Sequence, residues 1–342
     1  MNTRTALVAL AGILATLTAC STPQAASPPA PTAAYTIENC GRTVTFTEKP
    51  TKVAILNGVT VTEVQSMIEL GLSDTIVANT QSYGVSDIPG MQAKIESLPT
   101  GGLTMNQNFG VPAEQLLASG ADLVISPYAG GFDRTQGFAT RVELERAGIK
   151  TLINPVGCAN GATDASPSDQ ELYDTAGVAD NQPFLTQLGE IFDVTARAEA
   201  LIAKENTALA ATSAAVEQEE PISGIVISPG AADDVPAVWT GGIFDDVLGR
   251  ARVTNAFEGE GRALAGRISA EQLAASKVDL LIIFADSTVD GNALAAKTLK
   301  AYPQWEASKK ERYVVVNDGM YFGPAAIVGV DKVARAAHPD AF

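Results

Sequence analysis

Val53-Ala54-Ile55-Leu56, then Asn57-Gly58, a helical stretch from about Thr62 to Leu70, and Thr75-Ile76-Val77-Ala78 form the passage whose reading decides the fold. A short apolar run closed by a turn signal predicts a buried strand, and the amphipathic stretch behind it predicts a helix. The unit then recurs. Leu123-Val124-Ile125-Ser126 and Thr151-Leu152-Ile153-Asn154 are strands, and Pro112 to Ser119 and Arg141 to Ala147 are helices. Pro112 suits a first-turn position, and Glu114 complements the helix dipole near its start. Strands alternating with helices predict a parallel sheet flanked by helices.

Outward from this passage the chain turns helical and then starts again. Pro183 to Phe192 is one helical segment, and a second runs from Thr195 to about Gln218, with Ala198, Leu201, Ile202, Leu209 and Val216 near helical spacing. At 1.5 Å per residue the second is a rod of roughly 35 Å, long enough to cross from one lobe to another. After Glu219-Glu220-Pro221 come strands at Ile222 to Ser228, Leu280 to Phe284 and Tyr313 to Val316, with helices at Ile243 to Leu248 and Ala270 to Ser276. The expected fold class is α/β: two Rossmann-like parallel-sheet lobes, residues 35–180 and 221–342, joined by a helical connector over 181–220 with a ligand cleft between them. One joining helix, rather than crossing strands, permits modest hinge motion.

The N-terminus carries an address. Met1 to Arg4 holds one positive charge, Ala6 to Leu17 is apolar, and Leu17-Thr18-Ala19-Cys20 closes the run. That run is short of the ~20 residues needed to span a bilayer and has the layout of a secretory signal. Leu17-Thr18-Ala19-Cys20 resembles the lipobox of bacterial lipoproteins, which implies a signal peptide over 1–19, cleavage before Cys20 and lipid on its thiol. The alternatives are an ordinary signal cut near Ala19 or an uncleaved anchor. The Pro-, Ala- and Ser-rich residues that follow, up to 34, cannot bury a core and read as an extended tether.

The formal charge is −16, and −17 once Arg4 is removed with the signal. Such a surface makes nucleic acid and anionic lipid poor partners. Without Cys20, two cysteines remain, Cys40 and Cys158. An even pair in an oxidising compartment predicts one disulfide; two buried free thiols are the alternative.

In order and spacing, several segments resemble the class III substrate-binding proteins of ABC importers, which carry ferric siderophores, haem and cobalamin. They are Lys52 to Leu56, Val61-Thr62-Glu63, Leu70-Gly71-Leu72-Ser73-Asp74-Thr75-Ile76-Val77, and Pro112-Ala113-Glu114 through Ala121-Asp122-Leu123-Val124-Ile125. Ser269-Ala270-Glu271 with Val278-Asp279-Leu280-Leu281-Ile282 repeats the last of these, and His338-Pro339-Asp340-Ala341-Phe342 is similar to the family's final turn. The resemblance spans Tyr35 to Phe342. It implies a monomeric, lipid-anchored, extracytoplasmic receptor that captures an iron chelate for an ABC permease, without cofactor, metal or catalysis. The ligand stays open among hydroxamate or catecholate siderophore, haem and cobalamin. Tyr83, Tyr128 or Tyr321 would be the iron ligands in the haem case. A cell-envelope scaffold reusing the fold is the alternative function.

Catalytic readings find little to stand on. His338 is the one histidine, no G-x-S-x-G elbow accompanies it, and Gly259-Glu260-Gly261 lacks the third glycine of a dinucleotide loop. Zinc and manganese carriers of related type place several histidines between the lobes.

Ligands of open parallel sheets bind beyond the carboxyl ends of the strands, so the loops there nominate the site. They offer Asn57 after the first strand, Tyr83 after the second, Tyr128, Phe132 and Arg134 after Ser126, and Trp239, Tyr321 and Phe322 in the second lobe. Aromatics stack on a flat ligand, and the Arg134 guanidinium would pair with an anionic oxygen. Trp239 reads equally as core. The resemblance assigns Glu63 to docking on permease arginines, the alternative being a helix-dipole role. In the second lobe Thr254 stands where some members have glutamate, which leaves Glu258 as its substitute.

Overall fold

A computed structural model describes residues 35–232, 235–260 and 268–342. Cys20, the signal and the tether lie outside the described residues, as does Gly261.

A β-hairpin that the sequence reading did not anticipate opens the fold. Strands β1 (Tyr35–Asn39) and β2 (Arg42–Phe46) pair antiparallel across a two-residue turn. Both turn residues, Cys40 and Gly41, have positive φ, 50° and 68°, the conformation that suits a tight hairpin. Cys40 is bonded to Cys158, 118 residues away. Beside it the Asn39 side chain imitates a strand partner: its Nδ2 donates to the Ile153 carbonyl at 2.7 Å, and its Oδ1 accepts from the Ile153 N–H at 2.9 Å.

The first lobe is a four-stranded parallel sheet of β3 (Val53–Ile55), β4 (Ile76–Asn79), β5 (Leu123–Ser126) and β6 (Lys150–Ile153), in the order β4-β3-β5-β6. Every residue of β3 and β5 is buried, which is why they read as unbroken apolar runs rather than as alternation. The second lobe contains β7 (Ile222–Ala232), β8 (Val235–Trp239), β9 (Val253–Asn255), β10 (Leu280–Phe284) and β11 (Tyr313–Val316). Its parallel strands lie in the order β9-β7-β10-β11, so both lobes repeat one topology, with the first strand between the second and third. The second sheet's parallel core carries one antiparallel addition. Strand β8 folds back antiparallel on the far end of β7, and Trp239 faces Val226 in that register.

The lobes are joined by the helix Thr195–Ala215, whose 21 residues span about 31 Å. Its buried stripe changes owner along its length. Ala198 and Leu201 pack into the first lobe's core, whereas Leu209, and Val216 just past the helix end, pack into the second lobe's. The helix Gln182–Ile191 before it joins the first core through Phe184, Leu185 and Leu188. Glu205 sits where the stripe changes hands. It is 8% exposed, and its Oε1 has no hydrogen-bond partner.

Burial, reinforced by the nearby Glu69 and only partly countered by Lys204, pushes the Glu205 carboxyl up to about 7. A carboxyl raised by folding costs stability when ionised. That cost is absent below about pH 4, grows as pH rises, and is complete above about 7. Glu205→Gln is therefore expected to stabilise the fold by about 2–3 kcal/mol at pH 8 and by little at pH 4.5. Urea denaturation at the two pH values checks this, and an equal effect at both would refute it.

His338, 6% exposed, packs near the chain end with Nε2 3.3 Å from the Arg252 carbonyl and Nδ1 3.8 Å from Glu219 Oε2. Among the described residues no helix is long and apolar enough to cross a membrane.

Candidate ligand-binding cleft

In both lobes the strand order reverses beside the first strand, and such a switch point opens a crevice beyond the strand ends. In the first lobe the loops after β3 and β5 meet there, bringing Asn57, Gly58, Pro127 and Tyr128 to one wall. The second lobe supplies Asp286, after β10, together with Tyr321 and Phe322, after β11, to the opposite wall. Between the walls lies a cavity of about 450 Å³. Gly157 brings the turn after β6 against the β5 loop: a Cβ there would lie 2.0 Å from the Pro127 carbonyl oxygen.

The cleft floor is a seam of crossed hydrogen bonds between the lobes. Asp318, 1% exposed and just after β11, accepts from the Val61 N–H at 2.5 Å and from Gln65 Nε2 at 3.1 Å. A second-lobe carboxylate thus covers the N-terminus of the first-lobe helix Thr62–Glu69. In return Asp87 of the first lobe, with its side chain 1% exposed, accepts from the N–H groups of Asn317 and Gly319 at 2.8 and 2.7 Å. Its other oxygen meets Lys332 Nζ at 2.7 Å. Thr62 Oγ1 donates to the Phe322 carbonyl at 2.6 Å, and Ser287 N–H to the Tyr83 carbonyl at 2.8 Å. Burial pushes the Asp318 carboxyl well above its usual range, with the Val61 N–H pulling it back and Asp87 and Glu63 adding to the rise. Gly319 and Gly329 touch backbone to backbone, so that a Cβ on Gly329 would lie 1.9 Å from the Gly319 oxygen.

Five residues nominated from the sequence reach the cavity: Asn57, Tyr83, Tyr128, Tyr321 and Phe322. Three do not. Phe132 is 7% exposed and belongs to the first lobe's core with Leu56 and Val124, because the 3-10 turn Ala129–Phe132 points Tyr128 at the cavity and folds Phe132 beneath it. Arg134 is exposed on the lobe's flank, 3.7 Å from Glu143, and lines a different groove beside the disulfide. Trp239 donates from Nε1 to Ser228 Oγ at 2.8 Å and packs behind the wall, tilted against Phe244 and edge-on to Phe284, while Phe244 in turn contacts Tyr321.

Glu63 requires the largest correction. A permease contact must be exposed, yet Glu63 is 1% exposed and lines the cavity floor. The start of its helix is capped by the second lobe rather than by solvent. Gln81 Nε2 donates to one carboxylate oxygen at 2.6 Å, and Asn154 Nδ2 to the other at 2.9 Å. Burial pushes this carboxyl up, and the two amide bonds partly restore it. Glu258 is exposed on the turn after β9.

The sequence reading missed Asn154, Asn108 and Phe109 as lining residues. Asn154 directly follows β6, so the strand-end rule would have found it. Phe109 offers no such signal. It stands 61% exposed at the rim with φ of 60°, held by Asn57 Nδ2 donating to its carbonyl at 3.1 Å, and its ring meets Tyr83 edge-on at 5.7 Å. Among the described residues the lining includes no Lys, Arg or His, but two carboxylates, Glu63 and Asp286. Burial pushes the Tyr128 phenol up, which keeps it a neutral hydrogen-bond donor. No group of three or more His, Cys, Asp or Glu able to hold a metal occurs among the described residues.

Residues 59–318 match the family model described as periplasmic binding protein. No curated protein matches the chain by sequence. Among solved structures, a periplasmic binding protein from Veillonella parvula superposes with a TM-score of 0.68 at 18% identity, covering 90% of this chain and 98% of that one. A structure titled ABC-type Fe3+-hydroxamate transport system, from Saccharomonospora viridis, gives 0.65 at 21% identity over 88% and 98%. A periplasmic heme-binding protein from Roseiflexus sp. RS-1 gives 0.58 at 19% over 85% and 100%. At these identities the likeness is one of fold.

Proposed function

Because the chain belongs to the periplasmic binding protein family, we propose that it is the lipid-anchored, extracytoplasmic receptor of an ABC importer and captures a ferric siderophore of low net negative charge. The observation carrying this reading is the chemistry of the cleft: an aromatic wall, two carboxylates and no cation among the described lining residues. A trianionic ferric catecholate or the propionates of haem would bring negative charge to a surface that already repels it, with no guanidinium to pair with. A neutral ferric hydroxamate meets aromatic faces and hydrogen-bonding amides instead. The Saccharomonospora viridis structure bears a hydroxamate title, and the shared fold is compatible with that ligand class. An open 450 Å³ cleft favours a captured small molecule over the scaffold alternative. Glu258 is the exposed acid assigned to permease docking, and Cys20 the lipid attachment.

The test is a titration of the full chain with ferric hydroxamates, ferric catecholates, haem and cobalamin, followed by tryptophan fluorescence and melting temperature. A hydroxamate at 100 times its dissociation constant is expected to stabilise the fold by about 2.7 kcal/mol. Silence across the panel would overturn the receptor reading, and tight binding of a catecholate or haem alone would overturn the ligand class.

A further inference from the structure

We propose that the cleft floor is a cation-recognising subsite, in which Glu63 and the Asn154 carbonyl receive an ammonium or guanidinium group carried by the ligand while Asn57 accepts from a second donor. This deepens the receptor reading and rests on it.

The argument starts from unpaired acceptors. Asn154 is 1% exposed and Asn57 is 7% exposed; both line the cavity, and the Oδ1 of each has no hydrogen-bond partner. Leaving a buried polar atom unpaired is costly, so such atoms on cavity-lining residues mark where a ligand completes the pairing. The orientation of each amide is fixed by its neighbours. Asn154 Nδ2 must face the Glu63 carboxylate at 2.9 Å and the Asn181 Oδ1 at 2.9 Å, so its oxygen is left over. Asn57 Nδ2 must face the Phe109 carbonyl, which likewise leaves its oxygen over. Turning either amide would set oxygen against oxygen.

On the residues that line the cavity the unpaired atoms are both acceptors, one of them beside a buried carboxylate; the unpaired donor Asn181 Nδ2 belongs to a residue outside the lining. Anionic ligand groups would be repelled there; donors with positive charge would be held. Asn57 follows β3 and Asn154 follows β6, two strands away across β5, so the two acceptors stand on the order of 10 Å apart. One ammonium cannot satisfy both, which is why a second donor, such as a ligand amide N–H, is assigned to Asn57. Desolvation raises the Glu63 carboxyl, and an arriving cation supplies the compensation that favours its charged form. The other ionisable groups facing the cavity are Asp286, Tyr83, Tyr128 and Tyr321, with Asp318 beneath it. Asp286 accepts from the Thr288 N–H at 2.8 Å and its hydroxyl at 2.6 Å through one oxygen, and it is the competing carboxylate; what distinguishes Glu63 is its contact with Asn154, whose own oxygen is unpaired.

Three forms of one probe test this on the full chain: a linear ferric tris-hydroxamate with a free terminal amine, its neutral N-acetyl derivative and its anionic N-succinyl derivative. The amine form is expected to bind at least about tenfold more tightly than the N-acetyl form, with the N-succinyl form weakest. In Glu63→Gln the first two are expected to bind within about twofold of each other, and the melting temperature of the unliganded variant reports whether the fold is intact. Equal binding of all three forms by the unaltered protein overturns the subsite and leaves the receptor reading standing. A preference that survives Glu63→Gln but vanishes in Asp286→Asn also overturns it. Binding of none of the three overturns the hydroxamate reading and the subsite with it.

Discussion

Asp87→Ala is expected to cost about 3–5 kcal/mol of stability, because it strips the seam between the lobes of a fully desolvated acceptor. Three donors converge on that carboxylate: the backbone N–H groups of Asn317 and Gly319, and Lys332 Nζ. Alanine leaves the two N–H groups without partners beneath the cleft. The Lys332 ammonium, 37% exposed, can turn towards water, so the loss falls mainly on the backbone. Asp87→Asn retains one acceptor oxygen and is expected to lose less than half as much. Urea denaturation of the three proteins measures both numbers. A loss under about 1 kcal/mol for Asp87→Ala would show that the seam is not what holds the lobes in register. Ligand affinity should fall in parallel, because the same turn after β11 carries Tyr321 and Phe322 into the cleft.

The second large effect concerns the disulfide. Cys40→Ser with Cys158→Ser opens a loop of 118 residues, which costs about 4–5 kcal/mol if the chief loss is restriction of the unfolded chain. The bond also has a local task. It ties the hairpin turn, where Cys40 sits at φ of 50°, to the segment that follows Asn154. The double variant should therefore melt much lower in oxidising buffer, and a reductant should lower the unaltered protein to the same level without moving the variant. A variant that melts within a few degrees of the unaltered protein would contradict the expectation. Because the Asn39 and Arg141 hydrogen bonds also hold the hairpin, the fold should survive the loss at low temperature.

Where the chain spells a strand buried on both faces, its sequence is legible. β3, β5 and β10 are runs of aliphatic residues because helices cover both sides of each sheet, and that composition distinguishes them locally. Strands β8 and β9 escaped notice for the opposite reason. β8 is only partly buried and carries Pro236, while β9 is three residues long with Thr254 exposed. Their pairing with β7 is a long-range event that no local pattern records.

The site divides along the same line. Asn57, Tyr83, Tyr128, Tyr321 and Phe322 were legible because a parallel sheet sends its strand ends to one edge, and each lies in the loop beyond one. Phe132, Arg134 and Trp239 follow the same rule in sequence, but a 3-10 turn, a flank ion pair and an aromatic cluster take them elsewhere.

By itself, then, the sequence determined the α/β class, the duplicated lobes and the sheet edge at which the cavity opens, since periodicity and burial are properties of neighbouring residues. Tertiary structure alone decided that Glu63 is buried on the cavity floor rather than exposed on a helix start, that Asp87 and Asp318 cross between lobes, and that Asn57 and Asn154 line the cavity with one oxygen of each unpaired. A carboxylate has the same letter on a surface and on a cavity floor. Its role is set by desolvation and by the donors that residues far along the chain bring within hydrogen-bonding distance.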